Sequence, residues 1–309
     1  MTMADKRTLA ISLPHSEGNT YQHMMVADAR KAAKNAGFDI DSYFAEGKMI
    51  AQVGQIYGCI HGERAKGTRA IIAMPVTDNS LNRAARDAVR SGLGWIGLHR
   101  RMDCLEDLRR DFPSVPISAV GPDQHELGRI QGRQFRALLP SGGRVLYVQG
   151  NAITSSARSR FAGMNEVIAG ADIEVDVLDG NWSAADSERT VGGWLRMVMP
   201  GKTRLDLIGC QNDEMAVGAG SALKSVAEYL RRPDLEGVMI TGYNGQPGFG
   251  QRLVNEGRLA ATIIMPSSAA AAVELLADAY EGKPSPASLV LPASSYPGEA
   301  ALAERSVKR

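Results

Sequence analysis

A chain of 309 residues is long for one compact core and comfortable for two of about 150 residues each. Its 35 Lys and Arg stand against 34 Asp and Glu, which leaves no electrostatic footprint for nucleic acid or for an anionic membrane, and 44% hydrophobic with 22% charged residues is ordinary for a soluble globular protein. No run approaches the roughly 20 apolar residues of a membrane span. The three cysteines (Cys59, Cys104, Cys210) are widely spaced and read as buried free thiols, and the five histidines (His15, His23, His61, His99, His125) lack metal-ligand spacing.

Met1 to Arg7 is short and polar, with no apolar h-region and no small-residue cleavage site. At face value such a chain stays in the cytoplasm; a chain trimmed of its signal, or given a wrong start codon, reads the same way. Thr8 to Leu13 is a strand pattern stopped by Pro14. A loop from His15 to Thr20 leads into a helix from about Tyr21 to Ala36, apolar at Met25, Ala29 and Ala33 and closed by Gly37. Asp39 to Phe44 alternates as a second strand. Ile50 to Arg64 has a helical period, Arg69 to Met74 is a third strand stopped by Pro75, Leu81 to Arg90 is a helix, and Gly94 to Leu98 a fourth strand. This β-α rhythm with short apolar strands predicts a parallel sheet covered by helices on both faces.

Arg100 to Pro116 breaks the rhythm. It is charged, ends between Pro113 and Pro116, and reads as a connection with a short helix. Ile117 to Val120 is a strand or hinge segment. The rhythm then restarts with helix Glu126 to Leu138, strand Arg144 to Gln149, helix Ser156 to Ile168 and strand Ile173 to Leu178. Helix Ser183 to Met199, strand Leu205 to Cys210, helix Met215 to Leu230 and strand Val238 to Thr241 follow. A short helix near Phe249 to Asn255, a strand Leu259 to Met265, a helix Ser268 to Tyr280 and a strand Ser288 to Leu291 complete it, and the charged tail is expected to fray. The chain thus holds two doubly wound α/β units in series, with no sequence repeat of fixed period.

Two motif-like stretches dissolve on inspection. Gly201-Lys202-Thr203 resembles the end of a P-loop, but the required earlier glycine is Arg196 and a strand, not a helix, follows. Gly218-Ala219-Gly220 lies inside a helix, lacks the third glycine of a dinucleotide fingerprint, and reads as a site of close helix packing. What recurs instead is polar or aromatic residues at successive strand ends: His15 and Tyr21, His99 and Arg100, Thr154 and Arg158, Trp182, Asn212 and Asp213, Asn244, and the softer Met265. The carboxyl edge of an open α/β sheet is where ligands bind. Each residue alone has a plainer reading, Arg158 as a surface charge, Trp182 as a loop anchor, Asn244 as a turn residue, and Asn212 or Asp213 as a helix cap.

Gln211-Asn212-Asp213-Glu214-Met215-Ala216-Val217-Gly218-Ala219 resembles the signature of type I periplasmic sugar-binding proteins, the ribose-binding group. So does the stretch from Gly150-Asn151 to Ser155-Ser156-Ala157-Arg158-Ser159-Arg160-Phe161-Ala162-Gly163, and Gly257 to Ile263 is similar to the family's hinge strand. The resemblance runs from about Thr8 to Leu291. The same fold serves as the effector domain of lactose-repressor-like regulators. The resemblance implies two doubly wound parallel-sheet lobes, residues 1–120 with 266–291 and residues 121–265 with 292–309, joined by a three-segment hinge near Val120, Met265 and Leu291 with a ligand cleft between them. It implies that Asn212, Arg158 and Arg100 hydrogen-bond a sugar, that Trp182 packs on its ring, and that Asn19 and Tyr21 reach it from the first loop. His99, Asn244 and Met265 take positions where the family usually has aspartate, aspartate and often glutamine. With both acidic acceptors replaced and the arginines kept, the ligand is expected to supply negative charge, as a sugar acid or sugar phosphate does, unless Asp213, Asp103 or solvent neutralises the arginines. Asp213 is also the expected helix cap and a counter-charge to Arg158.

The implied function is a solute-binding protein that delivers a carbohydrate-like ligand to the permease of an ABC importer, located in the periplasm or cell envelope. The rival is a cytoplasmic sugar sensor or the effector domain of a regulator, although only Met1 to Arg7 precede the first strand where a helix-turn-helix would stand. An enzyme ranks third because nothing assembles as nucleophile, base and oxyanion donor. No cofactor, metal or nucleic acid is implied.

Overall fold

The computed structural model describes residues 7–16, 18–199 and 204–307. Gly201, Lys202 and Thr203, the remnant set aside above, lie outside them, as does the polar N-terminal stretch up to Lys6. The chain divides into unit 1, Met1–Pro122 with Pro266–Leu291, and unit 2, Asp123–Met265 with Pro292–Arg309.

Unit 1 opens with β1 (Thr8–Leu13), α1 (Thr20–Ala36), β2 (Asp39–Phe44), α2 (Met49–His61), β3 (Thr68–Ala73), α3 (Asn82–Arg90), β4 (Gly94–Leu98), α4 (Leu105–Asp111) and β5 (Ile117–Pro122). Unit 2 follows with α5 (Gln124–Leu138), β6 (Gly143–Gln149), α6 (Ser155–Ile168), β7 (Ile173–Asp179), α7 (Ala184–Val198), β8 (Leu207–Cys210), α8 (Asp213–Leu230), β9 (Met239–Thr241), α9 (Arg252–Asn255) and β10 (Thr262–Ile264). The chain then returns to unit 1 for α10 (Ser268–Tyr280) and β11 (Ser288–Leu291), and to unit 2 for β12 (Ser294–Tyr296) and α11 (Glu299–Val307).

In unit 1 the strands run in the order β2-β1-β3-β4-β5-β11, every pair parallel. The central strands are buried along their length, as continuous apolar runs in a covered parallel sheet must be. On one face Ile56, Cys59 and Ile60 of α2, Ala84, Ala85 and Ala88 of α3 and Leu105 of α4 share a core with Trp95 and Ile71. Helices α1 and α10 pack together. The strand order reverses beside β1, which marks the carboxyl ends of β1, β3 and β4 as the place for a site.

In unit 2 the order is β7-β6-β8-β9, again parallel. Side-chain alternation splits the core between two faces. Leu146, Val148, Ile208 and Cys210 meet α7 and α8 on one; Val145, Tyr147 and Leu207 meet α5 and α6 on the other. The helix pairs touch backbone to backbone. A Cβ on Gly128 would lie 2.0 Å from the Arg160 carbonyl, one on Gly163 2.0 Å from the His125 carbonyl, and one on Gly218 2.0 Å from the Ala184 carbonyl. Close packing is therefore the reason for Gly218, as its place in a helix suggested.

Several boundaries shift. The helix expected to reach Arg64 ends at His61 and continues as a 3₁₀ turn, Glu63–Lys66. The expected strand to Met265 narrows to β10, and the helix before it begins as a π turn, Pro247–Gln251. The expectation of a frayed tail fails over its described part. β12 pairs antiparallel with β10, and α11 packs on α5. Fully buried Leu302 enters the core of Phe135 and Leu138. Arg133 Nε donates to Glu299 Oε1 at 2.8 Å, and Gln134 Nε2 to Ser295 Oγ at 2.9 Å.

Candidate functional site

The first turn of α8 organises the carboxyl edge of unit 2. Asn212 is its N-cap, with Oδ1 accepting from Met215 N–H at 2.7 Å, while Nδ2 donates to the Trp182 carbonyl at 3.0 Å. Capping satisfies one of the free amides at a helix start. Asp213, expected as the cap, is instead already inside the helix and turned into the protein, 0% exposed. Its Oδ1 accepts from Thr262 Oγ1 at 2.7 Å and its Oδ2 from Gly245 N–H at 2.9 Å. Burial pushes its carboxyl well above the usual carboxylate range, neighbouring Glu214 adds to the rise, and the two hydrogen bonds oppose it. It is neither the cap nor the expected counter-charge to Arg158.

Trp182 ends a turn in which both Asn181 and Trp182 have positive φ, 48° and 62°. A non-glycine side chain in that region costs energy, which the cap contact to its carbonyl helps offset. The ring lies against Gly150, where a Cβ would come within 2.1 Å of it. The indole N–H is buried and has no acceptor among the described residues.

The arginine brought to this ring is Arg160, which had not been singled out. Its guanidinium stands 5.5 Å from the Trp182 ring and 4.8 Å from that of Tyr243. Nε donates to Gln124 Oε1 at 2.9 Å, Nη1 to the Gln211 carbonyl at 2.8 Å, and Nη2 approaches the Met265 sulfur at 3.9 Å. Arg158 is exposed at the edge, with Nη1 donating to the carbonyls of Ile153 at 2.6 Å and Ala152 at 3.1 Å. The helical period carries the signal that separates them. Ser156, Ala157, Arg160, Gly163 and Met164 form the buried face of α6, and Arg158 falls off it. Arg160, rather than Arg158, therefore stands beside Trp182 and Met265.

Asn244, at φ 96°, is buried and donates from Nδ2 to Glu214 Oε2 at 3.3 Å. Its carbonyl accepts from Met265 N–H at 3.3 Å. Gln211 braces the strands below. Its amide donates to Tyr147 Oη at 2.9 Å and accepts from Gly150 N–H at 2.9 Å. Trp182, Asn212, Asn244 and Met265 therefore belong to one bonded cluster with Arg160, Asp213 and Glu214.

At the carboxyl edge of unit 1, Asn19 caps α1 through a 3.0 Å bond from Gln22 N–H to Oδ1. Gln22 Oε1 in turn accepts from His15 N–H at 2.9 Å. Tyr21 donates to the Pro266 carbonyl at 3.2 Å, and its hydroxyl lies 3.4 Å from His99 Nε2, with the two rings edge to face. His99 has φ 59° and follows β4 directly. Arg100 Nη1 donates to the carbonyls of Pro75 and Val76, at the end of β3. Burial, then the nearby Arg100 charge, lower the pKa of His15, with Glu46 opposing. Asp103, considered as a partner for Arg100, bonds to Arg101 and to Asn79. Asn19, Tyr21, His99 and Arg100 thus gather with His15 and Gln22 at the ends of β1, β3 and β4.

Both edges offer directed donors and aromatic faces, the means to hold a polar molecule with an apolar side. Among the described residues, no group of His, Cys, Asp and Glu could hold a metal ion, and no helix is long and apolar enough to cross a membrane.

Residues 9–284 match the model of the periplasmic binding protein domain. The chain belongs to that family. The ribose import binding protein of Escherichia coli K12 is 27% identical over 239 residues, 76% of this chain and 71% of the relative. The D-ribose/D-allose-binding protein of Pseudomonas aeruginosa is 25% identical over 197 residues, 63% of this chain and 57% of that one. Among solved structures, an ABC transporter periplasmic solute binding protein from Actinobacillus succinogenes with bound D-allose superposes with a TM-score of 0.80 at 21% identity, covering 98% of this chain and 100% of that one. A Caulobacter myo-inositol binding protein bound to myo-inositol does so at 0.79 and 19%, covering 98% and 97%. The likeness to type I periplasmic sugar-binding proteins read from the motifs therefore extends to the fold.

Proposed function

We propose that this chain binds a small carbohydrate-like ligand and acts as the solute-binding component of an ABC sugar importer, in the periplasm or cell envelope. The observation that carries the reading is the Trp182 cluster. An aromatic ring held at positive φ stands beside a buried guanidinium, and the amides of Asn212 and Asn244 follow the ends of the paired strands β8 and β9. Such a ring covers the apolar C–H face of a sugar, and the amides and guanidinium direct hydrogen bonds to its hydroxyls. The names of the relatives, ribose import and D-ribose/D-allose binding, support the ligand class. The ligand contacts are Trp182, Asn212, Asn244, Met265 and Arg160 in unit 2, with Asn19, Tyr21, His99 and Arg100 in unit 1 and Arg158 at the rim.

Arginine offers donors only, so acceptor-rich ligands suit these edges, and sugar acids and sugar phosphates rank first among candidates. A thermal-shift screen followed by calorimetry, over D-ribose, D-allose, myo-inositol, sugar acids and sugar phosphates, tests both levels. A true ligand at about 100 times its dissociation constant stabilises the protein by about 3 kcal/mol, and Trp182→Ala abolishes that shift. Silence across the panel sinks the carbohydrate reading. Tight binding of neutral sugars with inert acids sinks only the anionic preference.

A further inference from the structure

One buried carboxyl links three of the strand ends that carry the unit 2 contacts. We propose that Asp213 is a positioning residue that fixes Asn212, Asn244 and Met265 in place without touching ligand. The proposal rests on the reading of those three as ligand contacts.

The geometry is specific. Asp213 Oδ2 receives Gly245 N–H, the residue after Asn244, and Oδ1 receives the Thr262 hydroxyl, on the strand that leads to Met265. The Asp213 amide donates to the Tyr243 carbonyl at 2.8 Å, so the same residue grips the strand-end loop from both sides of Asn244. Met265 N–H then bonds to the Asn244 carbonyl at 3.3 Å, which closes the circuit. Asn212 precedes Asp213 directly, and its cap geometry depends on where the first turn of α8 is held.

Glycines leave the space for this carboxyl. A Cβ on Gly250 would lie 2.0 Å from Oδ2, and one on Gly242 2.3 Å from Oδ1. No longer acid fits such a socket, and a shorter side chain leaves two buried donors without acceptors. An amide of the same shape keeps one acceptor for the Gly245 N–H and turns its NH2 to the Thr262 hydroxyl, which can accept as well as donate, so Asn is a fair substitute.

Amide hydrogen exchange by NMR on the ligand-free chain tests this directly. In Asp213→Ala, exchange at Gly245 and Met265 rises about tenfold or more, the equivalent of one lost buried hydrogen bond. Amides in β6 keep their wild-type rates. Asp213→Asn, which can still accept from Gly245, retains protection there. Unchanged rates at Gly245 and Met265, or a uniform rise throughout unit 2, overturn the proposal, the second outcome marking a general structural role. If Asp213→Ala does not fold, Thr262→Val carries the test. It removes one of the two bonds and raises exchange at Met265, and wild-type rates there overturn the proposal. A binding arm over the same panel of D-ribose, D-allose, myo-inositol, sugar acids and sugar phosphates separates the two readings. Wild-type silence across all of it counts against the proposed ligand class, while the exchange result still judges Asp213.

Discussion

At the strand ends of unit 2 the polar side chains are buried and bonded both to one another and to backbone of neighbouring strand ends. Asn212 reaches the Trp182 carbonyl, Asp213 reaches Thr262 and Gly245, and Asn244 reaches Glu214. At the strand ends of unit 1 the corresponding side chains rest largely on backbone carbonyls, Arg100 on Pro75 and Val76 and Tyr21 on Pro266. The packing beneath differs in the same sense. Helices of unit 2 meet backbone to backbone through Gly128, Gly163 and Gly218, whereas Gly54 of α2 in unit 1 has nothing within 4 Å of a built Cβ. The edge of unit 2 thus stands on closely apposed helices, while in unit 1 Arg100 and Tyr21 rest on loop carbonyls. Substitutions near the first should move stability and binding together, and those near the second should separate them.

The sharpest break of that contrast is Gly163→Ala. The new methyl would meet the His125 carbonyl, and backbone on both sides gives little room to relax. Overpacking of this kind costs about 3 kcal/mol. Urea unfolding should show a lower midpoint with unchanged slope. A wild-type midpoint would mean that α5 and α6 are less tightly apposed than the distances require, and the contrast between the two units would go with it.

A smaller effect comes from Asp213, where the sign follows from its raised titration point. In the unfolded chain its carboxyl ionises near pH 4, while the folded protein holds it protonated to higher pH. Its contribution to stability is full below the unfolded value and is lost as pH rises through the folded one. The slope is at most about 1.4 kcal/mol per pH unit. Unfolding midpoints of wild type and Asp213→Asn, measured from pH 4 upward, should therefore converge or cross, with wild type losing ground. Parallel curves would place the carboxyl in a solvated site and undo the burial argument.

Much of this was readable from residue order, and the failures have physical causes. The β-α rhythm was legible because central parallel strands must be apolar on both faces, as in Gly94–Leu98. The Trp182 and Asn212 positions were legible because they lie where strand patterns stop. The choice between Asn212 and Asp213 as cap was not, because both residue types cap well and the decision lies with Thr262, 49 residues further on. The contact of Arg160 with Trp182 was not read, although the buried face of α6 includes that arginine. The tail looked disposable because one buried leucine, Leu302, and partners 166 and 161 residues away, Arg133 and Gln134, hold it.

The smallest effect, and the one of opposite sign, belongs to unit 1. Gly54 sits mid-helix in α2, exposed, with ordinary φ and open space where a Cβ would go. Alanine there loses less conformational freedom on folding than glycine does and meets no neighbour, so Gly54→Ala should stabilise by about 0.5–1 kcal/mol. The same substitution in the same secondary structure then raises stability in one unit and lowers it in the other. Only the atoms beyond the glycine differ, open space beyond Gly54 of α2 and the His125 carbonyl of α5 beyond Gly163 of α6. If ligand response survives Gly54→Ala unchanged while Gly163→Ala weakens it, the coupling of edge to core is a property of unit 2. Equal loss of response in both variants would show that unit 1 transmits packing changes to its strand ends as well, and the contrast between the two edges would fall.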